Sequence, residues 1–144
     1  MDKKMDKTKV LFLCIHNSAR SQMAEGFLSH LYGDRYEAYS AGITPTHVNP
    51  YAIKAMAEVG IDISGQIPKS WRVYGLDYGF DVVITTCSEA EKSCPVFPYG
   101  KVLHWEFPDP SEAKGTEEEI LKVFRNVRDS IRNRIETVVK NKEI

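Results

Sequence analysis

The stretch VLFLCIHNSARSQMAEG, residues 10–26, constrains the fold more than any other part of the chain. Lys9–Leu13 is a short run dominated by large and β-branched residues, and it reads as a buried strand that stops at Cys14. A helix is expected from Arg20 to Tyr32, with Met23, Ala24, Phe27, Leu28 and Leu31 on one face and Gly33 ending it in the left-handed conformation. A buried strand that passes through a tight loop into an amphipathic helix is the first half of a strand–helix–strand unit. Such units build parallel sheets.

The pattern continues along the chain. Tyr36–Ala41 reads as a second strand. Asn49-Pro50 opens a helix, with a capping side chain followed by proline at the first helical position. Ile53, Met56, Ala57 and Val59 are expected to face inward, and Gly60 to stop this helix. Trp71–Tyr78 reads as a short irregular helix, and Asp81–Thr86 and Lys101–Trp105 as the third and fourth strands. Thr116-Glu117-Glu118-Glu119 forms a capping box. Ile120, Phe124, Val127, Ile131, Ile135 and Val138 then mark one stripe of a final helix reaching about Lys140. The expected architecture is α/β: a single three-layer domain over residues 9–144, with a four-stranded parallel sheet and helices on both faces. Residues 1–8 are expected to form a flexible lead-in.

A chain of 144 residues with 42% apolar side chains can bury one substantial core. A net charge of −1 argues against nucleic-acid binding through a broad basic face. No apolar run approaches the ~20 residues of a membrane span, and the charged N-terminus lacks the apolar core of a secretory signal. Cys14, Cys87 and Cys94 are odd in number and not densely spaced, which argues against a secreted disulfide scaffold. They point to a reducing, cytoplasmic setting, in which such cysteines are catalytic, redox-active or simply buried.

Ligands of parallel sheets bind at the carboxyl edge of the strands. Cys14 follows the first strand, Cys87 the third, and Asp109 lies a few residues past the fourth, so all three are expected on one edge. Ile15, His16, Asn17, Ser18, Ala19 and Arg20 form the connecting loop. Such a loop can wrap its N–H groups around a tetrahedral oxyanion, while Arg20 holds two of the oxygens with its planar fork. A thiolate at Cys14 gains from the helix N-terminus behind it, and Ser21 can donate a hydrogen bond to the sulfur. Asn17 tolerates the left-handed backbone that a tight loop needs. His16 reads as a rim residue, and His30, His47 and His104 as surface or packing residues. Asp109, between two prolines in FPDPSE, is a candidate general acid for the leaving oxygen, against the alternative of an ordinary turn aspartate.

The loop, the SQMAEG helix start, YSAGI and the Asp-Pro pair resemble the low-molecular-weight protein tyrosine phosphatase superfamily. CSEAEKSC, HWEFPDP and VNPYAIKAMAEVGIDIS are similar to its thioredoxin-coupled arsenate reductases, and the resemblance runs from Lys9 to about Lys140. It implies that Cys14 attacks arsenate held by the loop and Arg20, and that Asp109 protonates the departing oxygen. It further implies that Cys87 resolves the adduct as a Cys14–Cys87 disulfide, releasing arsenite, and that Cys94 carries the disulfide outward as Cys87–Cys94 for thioredoxin to reduce. The polar SEAEKS segment, with no apolar anchor, is suited to coil so that Cys94 reaches Cys87.

The chain departs from the pattern in places. His16 stands where many relatives have glycine, and Ala19 where they have a further cysteine. Some relatives bind potassium near the loop. The matching positions here include Asn17, Glu25 and Ser40, but Lys69 stands where they have an acid, and its ammonium is expected to replace the cation. No metal and no tightly bound cofactor are expected, and a monomer is. Two other functions stay open: a tyrosine phosphatase, which needs Cys14, Arg20 and Asp109 but neither distal cysteine, and an oxyanion sensor. Ser111 and Glu112 follow the Asp-Pro where phosphatases commonly carry tyrosines, which weakens the first. Weak phosphatase side activity is expected from the shared loop.

Overall fold

The first strand, β1 (Thr8–Cys14), lies inside the sheet with a parallel partner on each side. The computed structural model describes residues 7–98 and 100–144. After β1 come α1 (Arg20–Tyr32), β2 (Tyr36–Gly42), α2 (Pro50–Ala57), β3 (Val82–Thr85), α3 (Ser88–Ser93), β4 (Lys101–His104) and α4 (Glu117–Lys140). Two 3-10 turns, Trp71–Val73 and Pro110–Glu112, complete the described elements. The four strands are all parallel, in the order β2-β1-β3-β4. The chain is therefore the α/β fold expected, a four-stranded parallel sheet with helices. Of the expected lead-in, residues 1–6 lie outside the described residues, and Thr8 already belongs to β1.

Strand periodicity sorts the core into two layers. Val10 and Phe12 of β1 and Val82 and Ile84 of β3 join Met23, Phe27, Phe124 and Ile131 in the larger cluster, which gathers residues of α1, α2 and α4. Leu11 and Leu13 join Ala41, Phe80 and Val83 in the second. Each such side chain contributes about 1.5–3 kcal/mol by leaving water. The second layer is covered by Trp71, Tyr74 and Phe97. Tyr39 and Tyr74 set their rings edge-on to Phe80, at 5.2 and 5.3 Å between centroids. Of the irregular helix expected over 71–78, only Trp71–Val73 is helical.

Three local expectations change. Gly33 is right-handed, with φ −63°, and a side chain there would strike the Ser29 carbonyl. In α2 the buried positions are Ala52, Ala55 and Met56. Ile53 and Val59 pack half-buried at the margin, and Ala57 faces solvent. The polar SEAEKS segment, expected to have no apolar anchor, forms the short helix α3 and buries Ala90.

The Thr116 capping box starts α4: Thr116 Oγ1 accepts from the Glu119 N–H, and the Glu119 carboxylate accepts from the Thr116 N–H. Arg128 sits buried on the apolar stripe of α4 and donates to the Ala55 carbonyl and to Glu58 Oε1, each at 2.9 Å. Arg125 grips the same carboxylate from the surface, at 2.8 and 2.9 Å. The Arg125 fork, with Arg128 behind it, draws Glu58 down from its ordinary 4.5 to about 2. The charged form is favoured in the folded chain, so its stabilisation is complete above pH 4.5 and fades as the pH falls towards about 2. Glu58→Gln should lower the urea midpoint at pH 7, and its gap from the wild type should close progressively in acid. A gap that stays constant from pH 7 to pH 3 would exclude this contribution. No helix among the described residues is long and apolar enough to cross a membrane.

Candidate active site

The strand order creates a crevice. From β1 the chain crosses to β2 on one side, and it later returns to β3 on the other. The carboxyl ends of β1 and β3 therefore face connections that run in opposite directions, which is where open α/β sheets bind ligands. Cys14 is the last residue of β1. Cys87 lies just beyond β3 and caps the start of α3. The two thiols are buried in one small cluster with Ile15 and Ala90, and all three cysteines are free.

The loop after Cys14 is held from outside. Five successive carbonyls each accept a hydrogen bond. Cys14 O accepts from the Ile43 N–H, Ile15 O from Thr44, His16 O from Thr46 and Ser18 O from Asn49, at 2.7 to 3.1 Å. Asn17 O accepts from Gln22 Nε2 at 3.0 Å. In a planar trans peptide the N–H points opposite to its carbonyl. The N–H groups of residues 15–19 are thus turned away from these braces. Asn17 makes the bend possible with φ +49°. Gly42, paired with Cys14 across the sheet, lets this happen: a Cβ there would lie 2.8 Å from Ile15 O and 2.9 Å from Asn17 N.

The bonds around Asn17 fix its amide. Oδ1 accepts from the Lys69 N–H at 2.9 Å, so Nδ2 faces Ser21 and donates to its Oγ, also at 2.9 Å. Ser21 Oγ then has its own hydrogen available for Cys14 Sγ, 2.9 Å away. The Asn17 N–H donates to the same sulfur at 3.1 Å. Two donors converge on the Cys14 sulfur.

Arg20 reaches across to the chain after β4. Its Nη1 donates to Phe107 O at 3.2 Å, and its Nη2 lies 3.7 Å from Asp109 Oδ2. Asp109 caps the second 3-10 turn. Its Oδ1 accepts from the Ser111 N–H at 3.0 Å and the Ser111 hydroxyl at 2.6 Å, which leaves Oδ2 beside the guanidinium. Cys14, His16, Ser18, Ala19, Arg20, Asp109 and Ser111 line one small cleft. The cleft can seat an oxyanion between peptide N–H groups and a guanidinium, with a sulfur at its base and a carboxyl group at its rim.

The other expected residues fall around this cleft. Burial pushes the Cys87 thiol up, against the opposing pull of the Ala90 and Ile15 amides and the Arg20 charge. Cys94, half-buried at the far end of α3, joins the second core layer instead, and burial also raises its thiol. Asn17, Glu25, Ser40 and Lys69 form one group beneath the loop. The Ser40 hydroxyl donates to Glu25, and Lys69 Nζ donates to Ser40 O at 3.2 Å. Burial raises Glu25 and lowers Lys69, each opposed by the other's charge. His16 stands on the rim with Nδ1 3.1 Å from Thr44 O, and His30 and His47 are exposed.

Some supporting residues escape the sequence reading. Gln22, fully buried on α1, braces the loop and is itself held by Gln66 Nε2 at 2.6 Å. Its signal is a polar residue directly beside Met23 and Ala24 on the apolar side of the helix. Gly42 is visible only as the glycine closing YSAGI, and Ser111 only as a neighbour of Asp109.

Residues 9–143 match the family described as low molecular weight phosphotyrosine protein phosphatase. An arsenate reductase of Halalkalibacterium halodurans is 48% identical over 134 residues, covering 92% of this chain and 96% of its own. The solved structure of an arsenate reductase in the phosphate binding state superposes with a TM-score of 0.76 at 36% identity, covering 93% of this chain and 98% of that one. A thioredoxin-dependent arsenate reductase of Corynebacterium glutamicum gives a TM-score of 0.66 at 29% identity, covering 94% of this chain and 63% of that one. Oxyanion cleft, fold and similarity over nearly the whole length agree, and the chain belongs to the low molecular weight phosphotyrosine protein phosphatase family.

Proposed function

We propose that this protein is an enzyme that reduces arsenate to arsenite through a relay of Cys14, Cys87 and Cys94, and that thioredoxin restores the thiols. The observation that carries the reading is the burial of Cys14 and Cys87 in one cluster at the crevice, with Cys94 closing the short helix that starts at Cys87. The relatives named arsenate reductase support the substrate, and the thioredoxin-dependent one supports the reductant.

In this reading the Cys14 thiolate attacks arsenic while the loop amides and Arg20 hold the remaining oxygens. A sulfur–arsenic bond forms, an arsenic–oxygen bond breaks, and Asp109 protonates the departing oxygen as water. The Cys87 thiolate then attacks the Cys14 sulfur. The sulfur–arsenic electron pair stays with arsenic, which leaves as arsenite, and the two sulfurs, oxidised by two electrons in total, form a disulfide. Cys94 exchanges onto Cys87 and frees Cys14. A thioredoxin dithiol supplies two electrons and two protons to close the cycle. The cleft also admits a phosphate ester, so weak phosphatase activity accompanies reduction. The enzyme works as a monomer in a reducing cytoplasm.

The Lys69 ammonium takes the place of a bound cation. Its donation to Ser40 O and its charge beside Glu25 support this, because a potassium ion would need those same oxygens. Activity should therefore not change when sodium replaces potassium at fixed ionic strength, and a clear rise in potassium would remove this reading.

The test is arsenate-dependent oxidation of NADPH in the presence of thioredoxin and thioredoxin reductase, with p-nitrophenyl phosphate hydrolysis followed in parallel. Steady arsenate turnover with slow ester hydrolysis is the expected result. Strong ester hydrolysis with no arsenate turnover from any thiol donor would make the protein a phosphatase.

A further inference from the structure

Between β4 and α3 lies a chain of polar groups that the chemistry above does not use. His104, the last residue of β4, places Nδ1 2.7 Å from Oγ1 of the buried Thr85 at the end of β3. Its Nε2 is 2.7 Å from Glu106 Oε1. The same carboxylate oxygen accepts from the Ser88 hydroxyl at 2.8 Å, and Ser88 is the first residue of α3. Glu91, one turn further along α3, lies 3.9 Å from His104 Nε2. Glu106 can only accept when ionised, so Nε2 carries the hydrogen, and Nδ1 shares a second hydrogen bond with the Thr85 hydroxyl.

The segment held this way has little else to hold it. A helix of six residues has no stability of its own in water. Ala90 is its one buried side chain. The bond from the Cys94 N–H to Glu91 O at its far end is long, at 3.4 Å. Cys87 and Cys94 stand at its two ends, so a rise of about 1.5 Å per residue separates their Cα atoms by roughly 10 Å. A disulfide tolerates no more than about 7 Å. The helix must therefore open before these two sulfurs can join.

We propose that His104, Glu106 and Ser88 are positioning residues of the redox step: a latch that ties the first turn of α3 to the end of β4 and sets how readily the Cys87–Cys94 segment opens. The proposal rests on the three-cysteine reading. The step it governs is attack of the Cys94 thiolate on Cys87 Sγ, which forms the Cys87–Cys94 bond, breaks the Cys14–Cys87 bond and releases Cys14 as a thiolate.

The test uses the reduced full-length protein, given one equivalent of arsenate without thioredoxin, quenched by alkylation and read by mass spectrometry. Ser88→Ala and Glu106→Ala should form the Cys87–Cys94 disulfide roughly threefold to tenfold faster, the span of one hydrogen bond's net stabilisation. Amide exchange across residues 89–94 should accelerate by a similar factor, while p-nitrophenyl phosphate hydrolysis stays unchanged. Ser88→Thr keeps the hydroxyl and should behave as wild type. The latch is overturned if the disulfide forms in the wild type and both variants leave its rate and the exchange unaltered. It is equally overturned if both variants lose ester hydrolysis, since the groups then support the whole cleft. Absence of the Cys87–Cys94 disulfide in the wild type would instead remove the relay itself, and the latch with it.

Discussion

Cys87→Ser and Cys94→Ser should each lose thioredoxin-supported arsenate turnover by on the order of a thousandfold or more, while still hydrolysing p-nitrophenyl phosphate. The separation follows from where the sulfurs lie. Ester hydrolysis needs an attacking sulfur, an oxyanion cradle and an acid, roles that the proposed mechanism gives to Cys14, the loop with Arg20, and Asp109, which line one cleft. Water completes that reaction. Reduction needs a second sulfur to take the first away from arsenic and a third to pass the disulfide on, and serine can do neither. Cys87→Ser should stall with arsenic on Cys14 after one equivalent. Cys94→Ser should stall as a Cys14–Cys87 disulfide, visible as a mass loss of two hydrogen atoms. Mass spectrometry of the stalled species checks both. Full turnover in Cys94→Ser would mean that thioredoxin reaches the first disulfide directly, and full turnover in Cys87→Ser that another thiol takes Cys14 from arsenic.

Arg20→Lys should lower kcat/KM for both reactions by on the order of a hundredfold to a thousandfold. The guanidinium has partners on two sides: one nitrogen donates to Phe107 O and another lies beside Asp109. A lysine can supply the charge but not a planar fork, so it cannot hold the oxyanion and tether the Asp109 chain together. Steady-state kinetics for arsenate and p-nitrophenyl phosphate, with calorimetric titration of inorganic phosphate, would show the loss in binding and in turnover. A variant within tenfold of wild type in both reactions would mean that the loop amides alone carry the oxyanion.

Much of this arrangement is legible in the residues. The step from β1 through the loop into α1 is written in a change from apolar run to helical spacing, and the observed helix has the expected limits. The α4 stripe and its capping box were equally plain, because many turns and a specific cap reinforce each other. Asn17 announced its backbone, since few residue types adopt positive φ. The helix α3 was not legible: five polar residues and one alanine are too few for a periodicity, and the contact that holds its first residue, Ser88 to Glu106, comes from a residue distant in sequence. In α2, Ala52 and Ala55 share the buried face with Met56, and alanines carry too little hydrophobic contrast to mark it. Nothing near Arg128 in the sequence marks its burial, because its partners, Ala55 O and Glu58, come from α2 and the residue that ends it.

The bracing of the oxyanion loop has a consequence for how its neighbours can change. Ile43, Thr44, Thr46 and Asn49 grip the loop through main-chain N–H groups, which every amino acid except one possesses. The exception is imino acid chemistry, and the two prolines of this segment, Pro45 and Pro50, stand just where no donor to the loop is needed. These four main-chain braces are thus indifferent to the side chains beyond them yet sharply selective about one missing hydrogen. A change of side chain at Thr44 or Thr46 leaves the cradle gripped, whereas proline at either position takes one of its holds away.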